Sequence, residues 1–234
     1  MNLEEAMIQL YDEQWAKQYD EMARAGLPGY EAIHRITAAV FLSRLPNDAK
    51  ILVIGSGTGT ELLTLGAKNP TWQFVAVEPA EAMMTACQSR IDQVGMRDRV
   101  TFHAGFLESL TSDERFDGAT SILVSQHLVD ESKRIEFFHQ IAHRLKPKAS
   151  LVTADLFGEV ASEEFQILEP IWRQQGISSG MPEIAFDTIV EKFGKEISLV
   201  SEWTIADYLQ KAGFAVPHLI FRSLMYGVWL TQVA

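Results

Sequence analysis

The chain reads as an α/β domain built on a mostly parallel sheet with helices on both faces, and three observations carry that reading. From residue 50 onward, apolar runs of strand length alternate with helical patterns. The first run, Ile51-Leu52-Val53-Ile54, is continuously apolar, as a strand buried on both faces requires. It empties into Gly55-Ser56-Gly57-Thr58-Gly59-Thr60, where alternate glycines let the backbone turn at once into a helix beginning Glu61-Leu62-Leu63. Such a helix aims unpaired N–H groups and the positive end of its dipole at whatever lies over the turn, which marks a nucleotide-binding junction.

The other elements follow in order. Trp72-Gln73-Phe74-Val75-Ala76-Val77-Glu78 is a second strand with an acid at its carboxyl end, where a carboxylate can accept from both hydroxyls of a ribose. Residues 100–105 form a third strand and residues 116–125 a fourth, followed by Gln126-His127-Leu128. An amphipathic helix over 134–147 is expected to stop at Pro147, before a fifth strand over 150–155. A helix ending Ala212-Gly213-Phe214 then leads into a hairpin over 215–221 and 225–232. The expected organisation is one domain, 1–234: an N-terminal helical segment (1–45), the core (46–157), a helical insertion (158–206) and a C-terminal helix exit with the hairpin (207–234).

The N-terminal segment reads as two helices separated by Gly26-Leu27-Pro28-Gly29-Tyr30, with Tyr11, Trp15 and Tyr19 on one face of the first. In the insertion, Phe165, Ile167, Leu168, Ile171 and Trp172 suggest one helix, residues 176–182 a flexible break and residues 184–193 a second helix. An insertion at the carboxyl edge of such a sheet sits where ligands bind, so it is expected to cap a substrate chamber with much apolar surface. The competing use is a dimer interface.

Composition narrows the partners. A net charge of −11 argues against direct nucleic-acid binding, which draws on Lys and Arg displacing counterions. The basic group His143, Arg144, Lys146 and Lys148 falls at a helix end, where cations offset the dipole. The single cysteine, Cys87, has no disulfide partner and reads as a small half-buried hydrophobe. His34, His103, His139, His143 and His218 show no metal spacing, so no metal is expected. No apolar stretch approaches the roughly 20 residues that span a bilayer, and Glu4 and Glu5 stand where a signal peptide would be basic. A cytoplasmic protein without a membrane partner is expected, as monomer or homodimer.

Spacing decides between nucleotides. The dinucleotide fingerprint wants a small residue where Thr60 stands, and no Lys follows to make a phosphate-binding P-loop. Gly55-Ser56-Gly57-Thr58-Gly59 with Glu78 at its distance resembles the class I S-adenosylmethionine (SAM)-dependent methyltransferases, and His143-Arg144-Leu145-Lys146-Pro147 and Ala212-Gly213-Phe214 resemble later signatures of that family. The resemblance implies a Rossmann-like fold with a seven-stranded sheet, and SAM as cofactor with S-adenosylhomocysteine as product. It implies cofactor contacts from Tyr19, Gly55, Ser56, Gly57, Thr58, Gly59, Glu78, Pro79, Met83, Gly105, Phe106, Val124 and Ser125. Tyr19-Asp20 and Pro28-Gly29-Tyr30 resemble elements of small-molecule methyltransferases whose N-terminal segment folds over the cofactor, and Tyr30, Gln126 and Trp172 are expected to face a small-molecule substrate. His127 stands where a general base would be wanted; a hydrogen-bonded histidine at a strand end is the other reading.

The chain departs from the family pattern at three places. Val53 replaces a common acid before the glycines, Phe106 replaces an acid after Gly105, and Lys148-Ala149 replace two glycines. The N/D-P-P-[YF] signature of amide and exocyclic-amine methylation is absent at Ser125-Gln126-His127-Leu128. Three functions therefore stand: methyl transfer to O, N or C of a small or medium organic molecule; an enzyme resembling the carboxy-SAM synthase of tRNA wobble-uridine modification, with Arg24 or Arg35 holding the extra carboxylate; and a catalytically idle SAM-binding regulator.

Overall fold

The computed structural model describes residues 12–111 and 113–234; Tyr11 lies outside them. Seven strands form one sheet in the order β3-β2-β1-β4-β5-β7-β6. Strands β1 (Lys50–Ile54), β2 (Gln73–Glu78), β3 (Val100–Ala104), β4 (Phe116–Ile122) and β5 (Leu145–Leu156) pair in parallel. The hairpin of β6 (His218–Ser223) and β7 (Tyr226–Gln232) adds antiparallel to β5.

Among the described residues eight α-helices pack around it: α1 (Glu13–Gly26), α2 (Tyr30–Arg44), α3 (Thr60–Lys68), α4 (Glu81–Gln93), α5 (Glu131–Arg144), α6 (Glu163–Ser178), α7 (Glu183–Lys192) and α8 (Glu202–Lys211). Two apolar layers result. Ile51 and Val53 of β1 face a core with Leu62 and Leu65 of α3 and Phe41 of α2, while Leu52 and Ile54 face Phe138 and Ile141 of α5. Burial on both faces explains the unbroken apolar run of β1.

Several boundaries differ from the sequence expectations. Helix α5 begins earlier, behind the N-cap Asp130, and ends at Arg144, so Pro147 does not stop it. The chain enters β5 directly: Leu145 pairs with Phe116, Ser150 with Gly118, and the residues between bulge out. Pro147 has no N–H to give a ladder and is tolerated in the bulge, and Lys148 takes φ +62 where the family pattern has glycine. Strand β4 ends at Ile122 because Leu123 turns to φ +60. Helix α6 runs through Gly176 to Ser178, and since a Cβ at Gly176 would overlap the Phe186 ring, only glycine lets α7 approach there. Cys87 is wholly buried rather than half-buried, and burial pushes its thiol up to about 11. Trp15 is 38% exposed and outside the core. Among the described residues, no helix is long and apolar enough to cross a membrane.

Candidate active site

Strand order reverses between β1 and β4, and the crevice beyond their carboxyl ends is where a doubly wound sheet binds ligands. A cavity of about 460 Å³ opens there, within the usual size of small-molecule sites. The glycine turn forms one wall. Gly55 and Ser56 donate their N–H groups to the Val77 carbonyl at 2.8 and 3.0 Å, tying the turn to β2. Gly55 lies at φ +67, and a Cβ there would overlap Val124 Cγ2, so only glycine lets the turn meet the segment after β4.

Glu78 ends β2 beneath the cavity, 7% exposed. Its Oε2 accepts the Gly57 N–H at 2.9 Å and its Oε1 the Ala80 N–H at 3.0 Å. A carboxylate offers about four acceptor positions, so two remain for ligand hydroxyls. Burial raises its pKa, while the N–H groups of Ala80 and Gly57 act the other way by favouring the charged form. A buried carboxylate with spare acceptor positions, beside a glycine wall and the apolar side chains of Val77, Met83, Phe106 and Val124, fits an adenosyl group with its two ribose hydroxyls.

Tyr19, Gly55, Gly57, Glu78, Pro79, Met83, Phe106, Val124 and His127 come together on this cavity. His127 sits in a short 3-10 turn after β4, half-buried. Desolvation, then the positive charges of Lys192 and Arg134, push its imidazole down to about 4, so it is neutral near pH 7 and a weaker base than a free imidazole.

Other expected residues stand off the cavity. Ser56 is buried under the turn. Thr58 faces the opposite side: its hydroxyl donates to Asp20 Oδ1 at 2.6 Å, and Arg90 Nη1 donates to the Thr58 carbonyl at 2.9 Å and to Asp20 Oδ2 at 2.8 Å. This latch fastens α1, with Tyr19, to the glycine turn. Gly59, at φ +87, serves packing, since a Cβ would lie 2.9 Å from Cys87 Sγ. Gly105 backs onto Ser109 and His103. Ser125 is fully buried, its hydroxyl donating to Asp155 Oδ2 at 2.8 Å.

Tyr30, Gln126 and Trp172, expected to face substrate, also stand off this cavity. Tyr30 is buried edge-on to His34, with ring centroids 4.7 Å apart. Gln126 is held inside, its Oε1 accepting the Leu156 N–H at 2.9 Å. Trp172 is wholly buried, donating from Nε1 to the Gly26 carbonyl at 2.6 Å and packing on Phe186. No residue of 158–206 lines the cavity; α6 packs against α1, so the insertion backs the N-terminal helix instead of roofing the site. Neither Arg24, paired to Glu31 at 2.6 Å, nor the exposed Arg35 reaches the cavity.

One wall had not been expected. Lys133, Glu136, Phe137 and Gln140 present one face of α5 to the cavity. Their i, i+3, i+4, i+7 spacing was legible, but the opposite face, with Phe138 and Ile141, carries the stronger apolar signal. Val53 is buried and pairs with Thr120. A carboxyl group lies behind that strand pair all the same. Glu61, in the first turn of α3, is 4% exposed, its Oε1 has no hydrogen-bond partner among the described residues, and desolvation raises it to about 7 against the smaller effect of Thr120.

Strand order, glycine turn and buried terminal acid form the arrangement of the class I SAM-dependent methyltransferases that the sequence resembles. Residues 51–148 match a family model described as "Methyltransferase domain". Over 228 residues, 95% of this chain and 93% of the other, it is 22% identical to the carboxy-S-adenosyl-L-methionine synthase of Campylobacter hominis. A crystal structure of a SAM-dependent methyltransferase from Aquifex aeolicus aligns with TM-score 0.65 at 17% identity, covering 95% of this chain and 99% of that one. The N,N-8-amino-8-demethyl-D-riboflavin dimethyltransferase of Streptomyces davawensis aligns with TM-score 0.58 at 16% identity; this chain covers 54% of it, with 86% of its own length aligned. SAM is accordingly the cofactor.

Proposed function

We propose that the protein moves the methyl group of SAM to an O, N or C atom of a small or medium organic molecule. The observation that carries this is Glu78, held by Gly57 and Ala80 with acceptor positions to spare at the floor of the cavity. Bound SAM supplies an activated methyl on a good leaving group. The chain's own work is then alignment and exclusion of water. Gly55 and Gly57 let the backbone approach, Glu78 anchors the ribose, Met83, Phe106 and Val124 supply apolar walls, and Tyr19 closes the side carried by α1. His127, on the cavity wall, is the candidate to take a proton from an acceptor that carries one, and its lowered pKa suits this only where the acceptor's proton becomes strongly acidic as the methyl is transferred. With nine of the expected residues on one cavity, an idle regulator is the weaker reading.

The acceptor is a small molecule, in keeping with the riboflavin-derived substrate named for the Streptomyces davawensis neighbour. The net charge of −11 disfavours direct contact with nucleic acid. A monomer or homodimer in a reducing, cytoplasmic compartment suits the single buried cysteine. A second reading, carboxy-SAM synthesis, is favoured by the near full-length likeness to the Campylobacter hominis enzyme and opposed by the absence of any arginine from the cavity wall.

Calorimetry with S-adenosylhomocysteine tests the site. Glu78→Ala should weaken binding by about 1.5–3 kcal/mol, roughly tenfold to a hundredfold, by removing a charged acceptor. Unchanged affinity would take Glu78 out of the site. Mass spectrometry of the co-purifying ligand separates SAM from carboxy-SAM.

A further inference from the structure

Arg134 of α5 and Asp155 of β5 form an ion pair in which both side chains are wholly buried, Nη2 and Oδ1 being 3.6 Å apart. Taking two charges out of water carries a desolvation penalty that an isolated pair seldom offsets. The surrounding bonds show what the pair accomplishes. Asp155 accepts from the Ser125 hydroxyl and the Gln126 N–H, both at 2.8 Å, and from the Thr153 hydroxyl at 3.2 Å. Arg134 donates from Nε to Ser125 Oγ and from Nη1 to Ser198 Oγ, each at 3.0 Å. Ser198, in the insertion, also donates its N–H to the Gln126 carbonyl at 2.6 Å.

Asp155, Arg134 and Ser198 each bond to Ser125 or Gln126, on the back of residues 123–128. The front of the same segment lines the cavity with Leu123, Val124, His127 and Leu128. Leu123 sits at φ +60, a conformation that a non-glycine residue keeps only when its surroundings over-determine it. A loop with one strained residue, bonded from behind by β5, α5 and the insertion, has its front face set by those partners.

We propose that Arg134, Asp155 and Ser198 form a positioning unit that fixes the cavity wall of Val124, His127 and Leu128, and that the insertion governs the site through this unit without lining it. The methyltransferase reading enters only in naming the ligand. Ser198→Ala detaches the insertion from the guanidinium and tests the unit mildly; Asp155→Asn keeps the shape and removes the charge. Both are measured by thermal melting, by calorimetry with S-adenosylhomocysteine, and by NMR of the His127 ring nitrogens in the ligand-free protein.

Ser198→Ala should melt within a few degrees of the parent, bind roughly threefold to thirtyfold more weakly, the ordinary span of coupling between a site and residues that position it, and shift the His127 ring signals. Asp155→Asn should do the same more strongly. A fall in melting temperature with parental affinity and unmoved His127 signals in Ser198→Ala would overturn the proposal and leave the pair a packing element. If the parent itself fails to bind S-adenosylhomocysteine, the methyltransferase reading falls, while the His127 signals still decide the positioning claim.

Discussion

Glu61 offers a test of the interior that needs no ligand. Its carboxyl is buried behind β1 and β4 with one oxygen unpartnered, and Tyr30 of α2 faces the same region. Raised to about 7, it differs from an ordinary Glu at 4.5 by about 2.5 units, and at 1.36 kcal/mol per unit this is about 3 kcal/mol. The sign follows from linkage: the folded state holds the proton more tightly, so this stability is present below pH 4.5 and lost as pH rises toward and past 7. Glu61→Gln keeps the shape of the protonated acid and cannot charge. Urea unfolding at pH 4.5 should therefore give nearly equal stabilities for the two proteins. At pH 8 the variant should be more stable by up to about 3 kcal/mol, several degrees in Tm for a chain of this size. Parallel stability curves across that range would refute the reasoning and mean that Glu61 finds a cation or water when the protein moves.

Three further outcomes are expected. His34, buried with neither ring nitrogen hydrogen-bonded among the described residues, is held down to about 4, chiefly by desolvation; the unfolded chain protonates first, so stability should fall by up to about 3 kcal/mol as pH drops from 6.5 to 4, and His34→Gln should flatten that limb in urea titrations. Phe106→Ala should weaken S-adenosylhomocysteine binding by about 1 kcal/mol or more through lost contact with a flat ring, with a smaller change in unfolding free energy; the reverse ordering would mark Phe106 as core. Gly176→Ala should lower stability by about 1–3 kcal/mol, because the Phe186 ring must shift, and leave ligand affinity unaltered when both are measured at 20 °C.

The parts of the site written in backbone chemistry were legible in the sequence. Alternate glycines after an unbroken apolar strand, and an acid closing the next strand, specify a turn and an acceptor by local rules, and the fold brings Gly55, Gly57 and Glu78 to one cavity. Side chains whose neighbours come from distant segments were not legible. Trp172 looks alike in composition whether it faces a chamber or a core, and only the Gly26 carbonyl, 146 positions away, makes it interior. Gln126 and Ser125 follow β4 as a site residue would, yet Asp155 and Leu156 of the next strand claim them from behind. The wall from α5 was hidden because one helix serves two surfaces.

The Gly26 carbonyl also constrains the order in which the molecule can be completed. It accepts from Trp172 Nε1, and the Tyr226 hydroxyl lies 3.5 Å away, contacts that span 146 and 200 positions of the chain. Contacts of such separation form late, after the closure entropy of the intervening loop has been met. During synthesis, α1 therefore waits for α6 and for the last strand of the sheet before its end is fixed. Tyr19 rides on the same helix but beside Asp20, whose bonds to Thr58 and Arg90 reach across only 38 and 70 positions, so the wall it adds to the cavity is held by nearer contacts than those that fix the end of the helix.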